Sequence, residues 1–179
     1  DRSPSRGLGD VYKRQTVPEG HQVLRDMTVH DNLMLAGSEF GRQAQQRALD
    51  RALDLFPELE QRLHQPAGDL SGGQQQMVSI SQGLAGEPNF LIIDELSFGL
   101  APTIVARLVP VIKKIANQGI GVLLIEQFTQ LALHLADHAY VMSRGRVSYD
   151  GDPLNLKTDP DILHRAYFPV SDSEAVGLV

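Results

Sequence analysis

Two apolar runs place the tightest limit on the fold of this chain: Phe90-Leu91-Ile92-Ile93-Asp94 and Gly121-Val122-Leu123-Leu124-Ile125. A short run without polar alternation reads as a strand buried on both faces, as in parallel sheets. The segment between them opens at Pro102 and stops near Gly119. Proline fits the first turn of a helix, where its missing N–H is not needed, and glycine fits just past the last turn. Upstream, Ser71 opens another helix that runs to about Ala85 and ends at Gly86-Glu87-Pro88. From residue 70 the order is therefore helix, strand, helix, strand, helix. That alternation predicts an α/β fold built on a parallel sheet.

The segment before residue 70 reads as helical. Thr28 can cap a helix, with Asp31 three residues on in a capping-box-like arrangement, and Val29, Leu33 and Ala36 share one face. A second helix is expected from about Gln43 to Phe56, where Ala44, Ala48, Ala52 and Phe56 recur every four residues, until Pro57 stops it. Towards the C-terminus, stretches 139–143 and 146–149 flank Arg144-Gly145 as a hairpin, and Asp159-Pro160 starts a last helix through about Tyr167. Pro110 lies inside the helix after Pro102, where a kink is expected. The expected organisation is one domain over 16–170, carrying a helical subdomain at about 28–86 and a C-terminal β-hairpin. Residues 1–15 mix Pro, Gly, Ser and Arg without apolar periodicity. They read as a leader, either a translated adapter foreign to the domain or a disordered tail. Residues 171–179 read as a flexible tail.

With 179 residues, the chain has room for a substantial core. Its net charge of −6 argues against a mainly electrostatic grip on nucleic acid, and no nucleic-acid partner is expected. It has no cysteine, hence no disulfide framework and no thiolate metal site. The six histidines show no ligand spacing. No apolar run reaches the roughly 18 residues that span a bilayer, so a protein partner would have to mediate any membrane association.

Two motifs carry chemistry. Leu70-Ser71-Gly72-Gly73-Gln74-Gln75-Gln76 places Ser71 as a helix cap whose hydroxyl can accept from the Gln74 N–H while the Gln74 side chain reaches back. A helix start presents unpaired N–H groups and a positive dipole end, which suits phosphate. Gly72 and Gly73 leave no side chain in the way. A plain helix cap is the alternative. The second motif is Asp94-Glu95, two carboxylates at the end of an apolar strand, where ligands of open α/β sheets gather. Asp94 resembles the strand-end Asp that in P-loop enzymes holds Mg²⁺, often through water, and the adjacent Glu95 can polarise an attacking water as a general base. Two solvated turn carboxylates are the alternative. No G-x-x-x-x-G-K-[ST] phosphate loop occurs in the 179 residues.

In this order and at this separation the two strings resemble the signature and Walker B motifs of an ABC-type ATPase. Ser97-Phe98-Gly99-Leu100-Ala101-Pro102 then resembles the D-loop, and Val17-Pro18-Glu19-Gly20 the Q-loop segment, with Glu19 where many members have Gln. Leu123-Leu124-Ile125-Glu126-Gln127 brings Gln127 to the position of a switch histidine. Gln127 can hydrogen-bond a phosphate oxygen but carries no charge, and a polar strand end is the alternative. Glu19, Gln127, the sequence after the carboxylates and Ala166-Tyr167-Phe168 together resemble the ATPase subunits of branched-chain amino-acid uptake systems, over about residues 16–169. The sequence departs from that pattern at His21, Gln82 and Leu96.

The resemblance implies a P-loop NTPase-like fold, here an ABC ATPase fragment, with ATP and Mg²⁺ as cofactors. Glu95 and Gln127 would be catalytic, and Asp94 would hold the metal. Ser71, Gly72, Gly73, Gln74 and Glu19 would contact nucleotide. Implied partners are a second ABC ATPase subunit, in a homo- or heterodimer, transmembrane permease subunits and, indirectly, a periplasmic binding protein. The implied location is cytoplasmic, peripheral on the inner face of the plasma membrane. The expected function is to energise import of branched-chain amino acids or related substrates. The alternative is a truncated, catalytically incompetent fragment that acts only in dimerisation or permease docking. Whether the chain is itself an enzyme stays open, because the family is an ATPase family and the Walker A motif is missing.

Overall fold

The computed structural model describes residues 14–20 and 22–167, in two compact units divided after Gln127. Most of the expected leader, the tail from 171, His21 and Phe168 lie outside the described residues.

The first unit is built on three parallel strands in the order β1 (Arg14–Val17), β2 (Phe90–Asp94) and β3 (Gly121–Ile125). Val17 pairs with Ile93, and Asp94 with Ile125. The strands therefore finish side by side, and the segments that follow them leave from one edge. Strand β1 starts inside the stretch read as a leader: Arg14 and Gln15 pair with Phe90 and Leu91. Four residues are too few to show a period, so only the neighbouring strand reveals this one.

Helices α1 (Val29–Ala36), α2 (Arg42–Leu55) and α3 (Gly72–Leu84) lie between β1 and β2, and α4 (Pro102–Asn117) joins β2 to β3. Helix α3 sits on one face of the sheet, with Gly83 beside fully buried Val17 and Leu91. Gly83 permits the approach, since a Cβ there would stand 2.8 Å from Val17 Cγ2 and 3.0 Å from Leu91 Cδ1. Asn32 fastens α1 from within. Fully buried, its Nδ2 donates to Leu24 O at 3.0 Å and Thr28 O at 2.9 Å, and its Oδ1 accepts from Leu24 N at 2.8 Å. Gln82 of α3 reaches the same Oδ1 at 3.2 Å, which gives this departure from the family pattern a structural task. Leu96, another departure, is fully buried.

The opposite sheet face differs from the sequence expectation. Phe90 is 50% exposed, Leu123 51% and Ile125 47%, so among the described residues this face of β2 and β3 is only partly covered. An apolar run records the demand for cover on both sides; it does not supply the covering layer.

Local signals hold. Thr28 Oγ1 accepts from Asp31 N at 3.0 Å, Pro102 is the first residue of α4, and Gly119 takes φ +89° just past its end. Helix α4 runs continuously through Pro110. Ala106, four residues earlier, is exposed, so the carbonyl that loses its donor can bond water. Helix α4 also forms ion pairs from Lys114 to Asp54 at 2.8 Å and from Arg107 to Glu58.

The second unit comprises α5 (Thr129–Leu135), the hairpin β4 (Ala139–Ser143) and β5 (Arg146–Gly151), α6 (Pro153–Thr158) and α7 (Pro160–Tyr167). The hairpin turns at Arg144 (φ +50°) and Gly145 (φ +76°), the pair of positive angles that matches strand twist in a two-residue turn. Its core is Leu133, Ala139, Val141, Leu156 and Ala166. Sequence reading missed α6; Asp152 caps it, accepting from Leu154 N at 2.7 Å, and Pro153 opens it.

Candidate functional site

The edge where the three strands end carries four of the residues singled out from sequence. Glu19 follows β1 and is exposed, beside Gly20 at φ +87°. Asp94 is the last residue of β2 and is half-buried. Glu95 follows with φ +48°, in the left-handed region that a non-glycine residue rarely adopts. Its N–H donates to Ile125 O at 2.9 Å, which stitches the first residue beyond β2 to the end of β3. Gln127 leaves β3 two residues later, and its Nε2 donates to Glu95 Oε1. The structure thus joins the two residues expected to be catalytic, although 32 positions separate them.

A carboxylate in contact with a neutral amide remains an acceptor, free to take a proton from a water on its other oxygen. Among the described residues no group of three or more His, Cys, Asp or Glu could enclose a metal. Asp94 therefore fits a divalent ion only as one ligand of several, the others being water and phosphate oxygens. This is how Mg²⁺ is usually held.

The signature residues form a separate cluster at the start of α3. Ser71 Oγ accepts from Gln74 N at 3.3 Å and Ser71 N donates to Gln74 Oε1 at 3.1 Å, closing the capping box. Gly73 is buried, and a Cβ on it would stand 2.5 Å from Ile104 Cγ2 of α4. A side chain at 73 would thus crowd the packing between α3 and α4, a reason for glycine that phosphate access had not supplied. Gly72 is half-buried.

Three residues of this edge and cluster escaped the sequence reading. Gln75 is buried, and its Nε2 donates to Leu70 O at 3.1 Å and Ala67 O at 3.2 Å, holding the loop before Ser71 against the helix. The signal was present in the string itself: only one of three consecutive glutamines can serve the cap, and the next one turns inward. Ser97 and Glu126 bond to each other across the strand ends. Nothing local to either residue announces that pair.

Comparisons with known proteins bear on the fold and the family. Residues 11–97 match the model of the ABC transporter family. The chain is 40% identical over 146 residues to BraG of Pseudomonas aeruginosa, a high-affinity branched-chain amino acid transport ATP-binding protein, covering 82% of this chain and 63% of that one. It is 34% identical over 150 residues to LivF of Archaeoglobus fulgidus, a probable branched-chain amino acid transport ATP-binding protein, covering 83% and 62%. The chain thus spans 63% and 62% of these relatives' own lengths. Among solved structures, the ADP conformation of an ATP-binding cassette of an ABC transporter superposes with a TM-score of 0.73 at 25% identity, covering 85% of this chain and 67% of that one. The fold is that of an α/β ABC ATPase fragment, and residues 11–97 carry the match to the ABC transporter family.

Proposed function

We propose that this chain is part of an ATP-binding, ATP-hydrolysing subunit that energises import of branched-chain amino acids or related substrates through a membrane permease. The observation that carries the reading is the strand-end cluster, Asp94 and Glu95 with Gln127 bonded to Glu95, in a chain that matches this family. The names of two relatives support the substrate class.

In this reading Glu95 accepts a proton from the attacking water, and its bond to Gln127 fixes the carboxylate's direction. Asp94 would hold Mg²⁺. Bound Mg²⁺ would supply charge neutralisation for the phosphates. Ser71, Gly72, Gly73 and Gln74 offer the dipole end of α3 to phosphate of a nucleotide bound on a second ATPase subunit. Glu19 stands at the same sheet edge as Asp94 and faces solvent, open to nucleotide or to a permease. A permease at the inner face of the plasma membrane would be the anchor; no helix among the described residues is itself long and apolar enough to cross a membrane. The binding protein that delivers substrate would act through that permease.

The test uses the chain extended at its N-terminus by a phosphate-loop segment. It should hydrolyse Mg-ATP, and Glu95→Gln should lower turnover on the order of 10²–10⁴-fold while nucleotide still binds. Unchanged turnover in Glu95→Gln would remove Glu95 as the base, and no turnover in the extended chain itself would leave the docking fragment as the better description.

A further inference from the structure

The turn after β2 is held to the end of β3 by a pair of bonds that no sequence motif announces. Both carboxylate oxygens of Glu126 face Ser97: Oε1 accepts from the Ser97 N–H at 2.9 Å and Oε2 from the Ser97 hydroxyl at 2.9 Å. Ser97 is buried and Glu126 half-buried. Hydrogen bonds to a carboxylate are roughly twice as strong as neutral ones, and a two-point grip fixes direction as well as distance. Ser97 lies two residues beyond Glu95, and Glu126 lies one residue before Gln127. The clamp therefore spans the same gap as the Glu95–Gln127 bond. Between the two, Glu95 keeps φ +48° with its N–H on Ile125 O. A non-glycine residue stays in that region only where its surroundings over-determine it.

We propose that Glu126 is a positioning residue: by gripping Ser97 it holds the β2 turn against the end of β3 and so sets the meeting of Glu95 and Gln127. The inference rests on the reading of Glu95 as the base. Glu126 touches neither reacting atom. Without it, the Ser97 N–H and hydroxyl face a void that water must fill, and the turn carrying Glu95 loses its outer anchor.

The clamp can be tested on the 179-residue chain by NMR, without nucleotide. Glu126→Ala should speed amide exchange at Glu95 by at least about tenfold and shift the Gln127 side-chain amide resonances, while amides of α1 and α2 exchange as before. Glu126→Gln should restore both signals, because its oxygen can accept from the Ser97 N–H and its amide is still within reach of the hydroxyl. Ser97→Ala, which removes one of the two bonds, should change the same signals by less; it serves if Glu126→Ala fails to fold. Unchanged Glu95 and Gln127 signals in Glu126→Ala, or uniform acceleration of exchange throughout the unit, would overturn the proposal. Turnover of the phosphate-loop form adds a second arm. Glu126→Ala should lower kcat on the order of 10- to 100-fold by misplacing the base, with KM for ATP unchanged. A fully active Glu126→Ala beside an inactive Glu95→Gln overturns the positioning role and leaves the proposed function standing. An active Glu95→Gln removes the reading of Glu95 as the base and with it the catalytic sense of the clamp, whatever the NMR arm shows of its mechanics.

Discussion

Replacing Gly73 by alanine separates a packing demand from a ligand demand at the signature helix. The added Cβ would lie 2.5 Å from Ile104 Cγ2 and 3.2 Å from Ile104 Cγ1. Ordinary carbon contacts stand at about 3.5–4.0 Å, so the first overlap is about 1 Å or more. Isoleucine is stiff about its first side-chain bond and cannot swing that methyl aside cheaply. Overpacking of this kind costs about 1–3 kcal/mol. Alanine recovers about 0.5–1 kcal/mol over glycine inside a helix, less near its start. The net loss should therefore lie between about 0 and 2.5 kcal/mol, too wide a range for the single variant to decide. A double-mutant cycle with Ile104→Ala removes the ambiguity. With Ile104 truncated, Gly73→Ala should be neutral or stabilising, and the coupling between the two sites should equal the clash, about 1–3 kcal/mol. Urea unfolding followed by far-UV circular dichroism on all four proteins gives the values. If Gly73→Ala has the same effect with and without Ile104, the packing account of this glycine is wrong.

Gln75→Leu should lower stability by about 1–3 kcal/mol, because the Ala67 and Leu70 carbonyls lose their shared donor in a buried place; urea unfolding checks this, and amide exchange should quicken around residues 67–71. Asp31 titrates below the usual carboxylate range because of its hydrogen bond to Thr28 and then the neighbouring His30 ring. Its contribution is therefore present above the unfolded carboxylate value, about 3.9, and fades as pH falls through the lowered one. Thermal melts between about pH 2 and 5, the carboxylate range, should show a shallower acid loss in Asp31→Asn. The unextended chain should show no Mg-ATP turnover above that of its own Glu95→Gln variant, since no phosphate loop lies in its 179 residues; a rate of about 1 per second, ordinary for a complete enzyme, would refute this.

Features whose cause lies within a few residues were legible in the sequence. Thr28 and Ser71 as caps, Pro102 and Gly119 as helix ends, and Arg144-Gly145 as a turn each follow from local backbone chemistry. The α/β class followed from apolar period and order. What failed to show depends on partners far along the chain. Strand β1 is visible only beside β2, Gly73 is explained only by Ile104, and Glu126 takes its meaning from Ser97, 29 residues away. The open face of Phe90, Leu123 and Ile125 was misread because apolar letters state a preference for cover, whereas exposure depends on which other segments are there to give it. The meeting of Glu95 and Gln127 was anticipated only as two members of one motif set; their direct bond needed the register of β2 against β3.

The backbone of Glu95 has an evolutionary consequence. At φ +48° the position would be more comfortable as glycine, by about 1–2 kcal/mol on the steric scale for left-handed residues. A population screened for heat resistance alone should drift from glutamate to glycine, or to asparagine, at residue 95. A population screened for nucleotide turnover should hold glutamate there and gather its stabilising changes elsewhere. Running the two selections in parallel on the phosphate-loop form would set fitness for folding against fitness for chemistry at a single codon.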